Sequence, residues 1–191
     1  NLKEELHMYK QALSQYTKAL GENHSFVAGT RKNIGMVLAE RGQYDLAQHQ
    51  FEKAMTIYVQ QSKTHQQNAA SESVDVLKNE LQSANMNRDV ASVISCIGNV
   101  KNRVGELDAA LTKYLQALQI YKSLHETKDG ETKTPNAASL LDVTSTLKVI
   151  GMVHAKRGDL DTAMQFFQES MDLLRKHEGE SDTKQDSDDE T

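Results

Sequence analysis

Residues 34–54 read IGMVLAERGQYDLAQHQFEKA, and two later stretches of the chain keep the same spaced residues. The shared positions are a Gly, a second Gly seven residues on, an Ala at twelve, an aromatic residue at sixteen and a small residue at nineteen. The other copies are IGNVKNRVGELDAALTKYLQA at residues 97–117 and IGMVHAKRGDLDTAMQFFQES at residues 150–170. Five matched offsets in three copies identify an internal repeat, which decides the architecture before local patterns do. The sequence therefore predicts an all-α helical repeat array.

Each repeat is predicted to be two antiparallel helices joined by a tight turn. The first Gly lets the backbones of two helices approach, because a Cβ there would hold them apart. The second Gly, at positions 42, 105 and 158, is placed to end the first helix in a left-handed cap. An acidic residue three positions later, such as Asp161, suits the start of the second helix by capping and by the helix dipole. The predicted repeat-packing residues, whose aromatic members should fill the space between successive layers, are Gly35, Ala47, Phe51, Gly98, Ala110, Tyr114, Gly151, Ala163 and Phe167.

These residues resemble the tetratricopeptide repeat, whose pattern places Leu-Gly, Tyr, Ala, Phe and Ala along a unit of about 34 residues. Residues 20–35, LGENHSFVAGTRKNIG, are more narrowly similar to the inter-repeat link and helix opening of kinesin light chain repeats. Tyr9 precedes Phe51 by 42 residues, which is the spacing of that longer repeat. Residues 2–20 are therefore predicted to be the second helix of a repeat whose first helix is missing, so we expect a fragment of a longer protein.

Inserted sequence of two kinds separates the repeats. The first Gly of the repeat recurs after 63 residues between the first and second copies and after 53 residues between the second and third. Residues 71–85 have apolar residues at helical spacing and contain neither Gly nor Pro. Either one extended helix runs into the second repeat or a separate short helix precedes it, and we favour a break or kink at residues 85–89. The second insertion surrounds Pro135 and is predicted to be a polar loop.

One elongated domain followed by an acidic tail is predicted, because each unit of a repeat array packs only on its neighbours. The tail holds seven acidic residues and one Lys, a net charge of −6, which leaves residues 1–177 at about +1 of the chain's total of −5, and its composition predicts disorder. The predicted parts are an array over residues 1–177, with a second helix (2–20), a repeat (25–63), an inserted helical segment (64–87), a repeat (88–125), a loop (126–138) and a repeat (139–177), and then the tail (178–191).

Composition and motifs predict neither catalysis nor a bound cofactor or metal. The seven His residues are scattered, without metal-ligand spacing, and no Gly-rich phosphate loop occurs. The single Cys96 lacks a neighbouring base, so we expect a buried small residue rather than a nucleophile. One Cys and no apolar run of about 20 residues favour a cytoplasmic protein without a membrane partner. The absence of a basic stripe argues against nucleic-acid binding.

The stacking of helix pairs predicts a concave groove lined by the first helices, a shape that suits an extended peptide or a partner helix. The tetratricopeptide resemblance implies which first-helix positions face that groove. The predicted groove residues are Lys32, Asn33, Met36, Ser95, Asn99, Arg103, Lys148, Met152 and Lys156.

The resemblance implies two known kinds of groove recognition. Asn33 matches the groove asparagine of the kinesin light chain pattern, whereas Cys96 and Val149 stand at the equivalent positions of the other repeats. An amide at such a position can bond both the donor and the acceptor of a peptide backbone. The match therefore implies peptide recognition of the light-chain type at the first repeat only.

The second kind is the carboxylate clamp of chaperone-binding members, which grips an acidic C-terminus. Lys32, Asn99 and Lys148 occupy clamp-like positions, but Met36 and Met152 stand where the first Asn and the Arg would be. The basic groove residues predict a partner with acidic residues by charge complementarity; alternatively, these lysines are a solvated face.

The sequence thus predicts a non-catalytic scaffold that holds a partner peptide or helix in its groove, a kinesin light chain-like cargo adaptor. The alternative is a structural or assembly subunit that binds a fixed large partner or self-associates through the inserted helix. An exposed apolar face on Val74, Leu77 and Leu81 would favour the alternative. The partner's identity and the oligomeric state stay open.

Overall fold

The computed structural model describes residues 1–69, 76–125 and 137–188, with side chains over residues 1–62, 87–124 and 139–178. Within these ranges the chain forms α-helices and no strand, which confirms the predicted all-α class of antiparallel helix pairs. The helices are α1 (Leu2–Leu20), α2 (Ser25–Glu40), α3 (Tyr44–Ala69), α4 (Val76–Arg103), α5 (Leu107–His125), α6 (Ala137–Arg157) and α7 (Leu160–Asp188).

The chain divides into two compact units, Asn1–Lys113 and Tyr114–Thr191. In the first unit α1 packs on α2, α2 on α3 and α3 on α4, and α2 also contacts α4. In the second unit α6 packs on α7. The first helix of one repeat is therefore packed between second helices, as α2 is between α1 and α3.

The turns between paired helices depend on glycines in the left-handed region, as predicted. Gly42 has a φ of 74°, and its N–H donates to the carbonyl of Ala39 over 3.0 Å. The next N–H, from Gln43, donates to the carbonyl of Leu38 over 2.9 Å. This pair of bonds is the Schellman motif, which satisfies carbonyls at the helix end. The same pair closes the turns at Gly105 and Gly158, so the predicted caps are confirmed.

The packing glycines make room for a ring rather than for a second backbone. A Cβ on Gly35 would lie 2.5 Å from a ring carbon of Phe51, in the facing helix of the same repeat. A Cβ on Gly151 would lie 2.7 Å from a ring carbon of Phe167. The expectation that two backbones meet at the first Gly was therefore wrong in detail, because the aromatic residue sixteen positions later fills that space.

The cores of both units contain most of the predicted packing residues. In the first unit Phe51 is 1% exposed and Ala47 is fully buried, beside Val27, Ile34 and Val93. In the second unit the core holds Tyr114, Val143, Leu147, Ile150 and Ala163. Of the remaining predicted packing residues, Gly35, Gly98, Gly151 and Ala110 are buried and Phe167 is half-buried.

Helix α4 corrects the expected break between the insertion and the second repeat. It runs from Val76 to Arg103 without interruption at residues 85–89, so the favoured break was wrong and the alternative of one helix holds from Val76 onward. Residues 85–89 contain neither Gly nor Pro, and extending a helix adds a hydrogen bond without a new nucleation cost. Residues 70–75 and the side chains of Leu77 and Leu81 lie outside the described residues.

Helix α7 corrects the expected start of a disordered tail. It continues to Asp188, so the backbone of residues 178–188 is helical. Helix elongation explains this, because α7 is already nucleated by its packing on α6 and each added residue contributes a hydrogen bond without a new nucleation cost.

Two other predicted boundaries differ from the helix ends. Helix α3 extends to Ala69, past the expected repeat boundary at residue 63, and α6 begins at Ala137, two residues inside the expected loop. Residues 126–136 of that loop and residues 189–191 of the tail lie outside the described residues.

Candidate peptide groove

The first helices of the first two repeats, α2 and α4, lie side by side in the first unit. The amine of Lys32 on α2 donates a hydrogen bond to Ser92 Oγ on α4 over 3.1 Å. This bond forms a polar link between the two helices at Lys32, one of the predicted groove residues.

The predicted groove residues of the first unit differ in exposure. Asn33 is half-buried, Met36 is 44% exposed, and Asn99 and Arg103 are exposed. Ser95 is different, because its hydroxyl is buried and has no hydrogen-bond partner among the described residues. The Ser95 hydroxyl therefore faces the packed interior, whereas the sequence had predicted it on the groove surface.

A carboxylate that the sequence reasoning missed faces Lys32. Burial raises the pKa of Asp89, and the charges of Lys32 and Arg88 partly oppose that rise. Asp89 precedes Ser92 by three residues, which places the two on one face of α4. That spacing was available in the sequence, but the contact of α2 with α4 was needed to connect it with Lys32.

Two weak acids pack around this link. Burial raises the pKa of the Tyr58 hydroxyl, and the charge of Asp89 adds to the rise. Burial also raises the pKa of the Cys96 thiol, which Lys32 partly opposes. A protonated, buried thiol is a poor nucleophile, so this polar link is suited to binding rather than to covalent chemistry. We call Lys32, Asp89 and Ser92 the Lys32 cluster.

The groove residues predicted on α6 lie in the second unit. Lys148, Met152 and Lys156 follow one another at four-residue spacing, so they share a face of α6, and all three are exposed. The clamp-like set of Lys32, Asn99 and Lys148 is thus divided, with two members in the first unit and Lys148 in the second.

The N-terminus of α7 is capped by Asp159 and not by Asp161, the residue expected from the sequence to cap it. Asp159 Oδ1 accepts from the N–H of Thr162 over 3.4 Å and so caps α7, whereas Asp161 lies inside the first turn. His154 Nδ1 donates to Asp159 Oδ2 over 3.1 Å, and the His154 ring stacks on Phe166 with centroids 5.5 Å apart. Hydrogen bonds from Thr162 and from His154 hold the pKa of Asp159 below its usual range.

We expect the Asp159 cap to give a pH dependence of stability. Because its folded pKa lies below the ordinary value of about 3.9, its contribution is present above that value and is lost as the pH falls through the folded pKa. Asp159→Asn should therefore lower the thermal midpoint at pH 7, and the difference from wild type should shrink as the pH falls below about 4. Circular dichroism melts across this range measure it.

The matched control for this prediction is Asp161→Asn, which removes an exposed carboxylate two residues away. It should leave the pH profile of the thermal midpoint close to that of wild type. Equal flattening of the profile by both variants would show that Asp159 has no special role.

Neither a metal site nor a membrane span is found in the described part of the chain. No three His, Cys, Asp or Glu residues there are grouped so that they could hold a metal ion. Among the described helices, none combines the length and the apolar character needed to cross a membrane.

Sequence and structure comparisons agree on the kind of repeat. One tetratricopeptide-repeat family model matches residues 3–59 and a second matches residues 143–184. No curated protein matches the sequence. The crystal structure of BtubC (BKLC) from P. vanneervenii is similar, with 17% identity and a TM-score of 0.64 over 93% of this chain and 58% of that chain. This chain thus spans 58% of the length of BtubC, and the likeness supports the fold alone.

Two MamA structures also align with this chain. One, a crystal structure of MamA, has 17% identity and a TM-score of 0.35 over 87% of this chain and 86% of that chain. The other, MamA 41-end from Desulfovibrio magneticus RS-1, has 14% identity and a TM-score of 0.33 over 90% of this chain and 96% of that chain. Both superpose too loosely to add to the description of the fold.

Proposed function

Because this chain is a tetratricopeptide-repeat protein, we propose that it is a non-catalytic scaffold that holds a partner polypeptide against the first helices of its repeats. The observation that carries the proposal is the pairing of α2 with α4 through the bond from Lys32 to Ser92. Asn33 and Asn99 lie on the same two helices and supply amides, which can bond both the donor and the acceptor of a peptide backbone. Met36, 44% exposed, adds an adaptable apolar contact.

The partner that suits this groove is a peptide with acidic residues. Lys32 and Arg103 supply the groove's positive charge on the first unit. Asp89 offsets part of the charge at Lys32, so an acidic group must compete with it there. Charge complementarity of this kind raises specificity and the rate of association more than it raises affinity. Binding is therefore expected to weaken as the salt concentration rises.

More specifically, we propose that the chain acts as a cargo adaptor, as kinesin light chains do. This proposal rests on the resemblance of residues 20–35 and on Asn33, while Cys96 and Val149 leave the equivalent positions without an amide. A cytoplasmic location accords with a single unpaired Cys.

We expect reversal of the groove charge to weaken partner binding. The double variant Lys32→Glu, Arg103→Glu should lose the partners that wild type captures from a matched cell extract, and should weaken binding of a captured acidic partner at least tenfold, about 1.4 kcal/mol. Reversal removes the attraction and adds repulsion. Affinity capture with mass spectrometry, followed by titration calorimetry with the captured partner, measures both.

The matched control is Lys53→Glu, which reverses an exposed charge on α3, a second helix. It should capture the same partners as wild type. If the groove variant keeps every partner, the peptide groove is wrong and the alternative of an assembly subunit is favoured. The helix first suggested for that role, the insertion at residues 64–87, has side chains outside the described residues over nearly all its length.

A further inference from the structure

The link between α1 and α2 ends in a histidine whose side chain caps α2. His24 stands at the N-cap position with an extended backbone, and its Nδ1 accepts a hydrogen bond from the Phe26 N–H over 3.2 Å. The first N–H groups of a helix have no partner within the helix, so this bond satisfies one of them. The nitrogen can accept only while it carries no proton. The cap therefore depends on the neutral imidazole.

The same imidazole belongs to a row of three rings that joins α1 to α2. The centroid of the Phe26 ring lies 5.1 Å from that of His24 and 5.6 Å from that of Tyr16, near the end of α1. His24 is half-buried and Phe26 is 60% exposed, so water reaches this row. Because α1 packs on α2, the three rings form part of the contact between the two helices. We call Tyr16, His24 and Phe26 the α1–α2 joint.

The backbone before His24 is held by bonds that do not involve the imidazole. Gln61 Nε2 on α3 donates to the carbonyl of Asn23 over 2.7 Å. Gly21 has a φ of 86° at the end of α1, and its N–H donates to the carbonyl of Thr17 over 3.0 Å. A change at the His24 ring therefore acts on the first turn of α2 and leaves the rest of the link in place.

This cap belongs to the first repeat alone among the three repeats in the described part of the chain. The residues equivalent to His24, by the spacing of the first Gly of each repeat, are Asn87 and Leu140. They lie inside α4 and α6 rather than ahead of them, so neither caps a helix. Any response of the His24 cap to pH is thus confined to the α1–α2 joint.

The titratable groups on the neighbouring elements do not engage the imidazole. Lys18 on α1 is exposed, and Arg31 on α2 donates to Gln50 on α3 over 3.4 Å. Burial raises the pKa of Tyr58 on α3, so its hydroxyl stays neutral near pH 7. Within the described residues no hydrogen bond or ion pair joins His24 to any of these groups.

We propose that the α1–α2 joint is a pH-sensitive switch, closed while His24 is neutral and loosened when His24 is protonated. A proton on Nδ1 removes the acceptor of the Phe26 N–H. It also places a positive charge at the N-terminus of α2, where the helix dipole disfavours it. Histidine ordinarily changes its charge between about pH 5 and pH 8. The cap therefore stabilises the joint at pH 8, and this contribution is lost as the pH falls toward 5.

Two attractions oppose the loosening, but they are weaker than the two effects that favour it. An imidazolium is drawn to the exposed Phe26 ring by about two- to fivefold in an equilibrium constant, and to the exposed Glu22 by less. Loss of an N-cap shifts the opening equilibrium by about fivefold, and the dipole adds a further two- to fivefold. We therefore expect protonation to favour the open joint by about threefold.

The test compares the whole wild-type chain with His24→Asn. Asn is a strong N-cap residue and gains no proton between pH 5 and pH 8, so the variant keeps its cap throughout. Urea unfolding followed by circular dichroism gives the unfolding constant of each protein, and the ratio of the wild-type constant to the variant constant should rise about threefold from pH 8 to pH 5. The nuclear Overhauser effect between the Tyr16 and Phe26 rings should weaken at pH 5 in wild type and persist in the variant.

The matched control is His49→Gln, which removes an exposed imidazole from the interior of α3, where it caps no helix. This variant should keep the wild-type pH profile. If His24→Asn keeps that profile as well, or if wild type gains stability relative to it as the pH falls, the switch is wrong. An unchanged Overhauser effect at pH 5 in wild type would also overturn the proposal, because the joint would then stay closed after protonation.

Discussion

Phe51→Ala should lower the free energy of unfolding of the first unit by about 3–5 kcal/mol, the range for truncating a buried aromatic residue. The Phe51 ring is 1% exposed and lies over Gly35, which has no side chain to fill the space that the ring would leave. The variant therefore loses the burial of the ring and gains a cavity between α2 and α3. Urea unfolding followed by circular dichroism and hydrogen exchange of α2 amides measure the loss.

Two other Phe residues provide the controls for this prediction. Phe167→Ala removes the equivalent ring of the third repeat, which is half-buried, so its cost should be smaller. Phe26→Ala removes a ring that is 60% exposed and should change the free energy of unfolding by less than about 1 kcal/mol. A cost for Phe51→Ala no greater than that for Phe26→Ala would contradict the placement of the Phe51 ring in the core.

Local sequence rules were sufficient for the helix pairs and their turns. The cap at Gly42 could be predicted because a left-handed residue at a helix end strongly favours Gly, whatever the helix packs on. Residues 2–20 could be assigned to one helix because their spacing repeats that of residues 44–62. The first inference uses one turn alone, and the second uses the recurrence of the pattern between repeats.

Two features of the helix ends did not follow from residue type. The break expected at residues 85–89 does not occur, because the modest helix propensity of Asn85 and Asn87 is too small to interrupt a helix that has already formed. The cap at the start of α7 was assigned to Asp161, but the side chain within reach of the Thr162 N–H belongs to Asp159. A cap is decided by backbone geometry at the turn, and two acidic residues so close together are equivalent as sequence.

The candidate groove depended on contacts that no local rule contains. Lys32 was identified as a groove residue from its position before the repeat Gly, but its hydrogen bond to Ser92 and its electrostatic interaction with Asp89 join residues separated by the insertion. The length of that insertion left the register of α4 against α2 undetermined. Only the packing of the two helices shows that Lys32 is already engaged, so a partner must compete for it.

Gly35→Ala should destabilise the first unit by about 1–3 kcal/mol, although Ala favours helix over Gly by about 1 kcal/mol. The added Cβ would lie 2.5 Å from one ring carbon of Phe51 and within 2.9 Å of two others. Because the Phe51 ring is buried, it cannot move aside into solvent, and α2 and α3 must separate instead. Urea unfolding of the variant and of wild type under the same conditions gives the difference.

Gly29→Ala is the matched control, since it adds the same methyl group to the same helix. A Cβ there would meet only the Tyr58 hydroxyl at 3.4 Å, which is an ordinary contact. The gain in helix propensity should then dominate and stabilise the protein by up to about 1 kcal/mol. If Gly35→Ala lowers the free energy of unfolding and Gly29→Ala raises it, the Phe51 ring is what excludes a side chain at position 35. If Gly35→Ala leaves the free energy of unfolding unchanged, α2 and α3 separate at no cost.

A double variant tests the same contact from the other side. Phe51→Leu removes the ring carbons that the new Cβ would strike, so the cost of Gly35→Ala should be smaller in its presence. The expected coupling between the two sites is about 0.5–3 kcal/mol, the range for residues in direct contact. Additive costs would mean that the ring and the glycine do not share one space, and that the repeat keeps this Gly for a different reason.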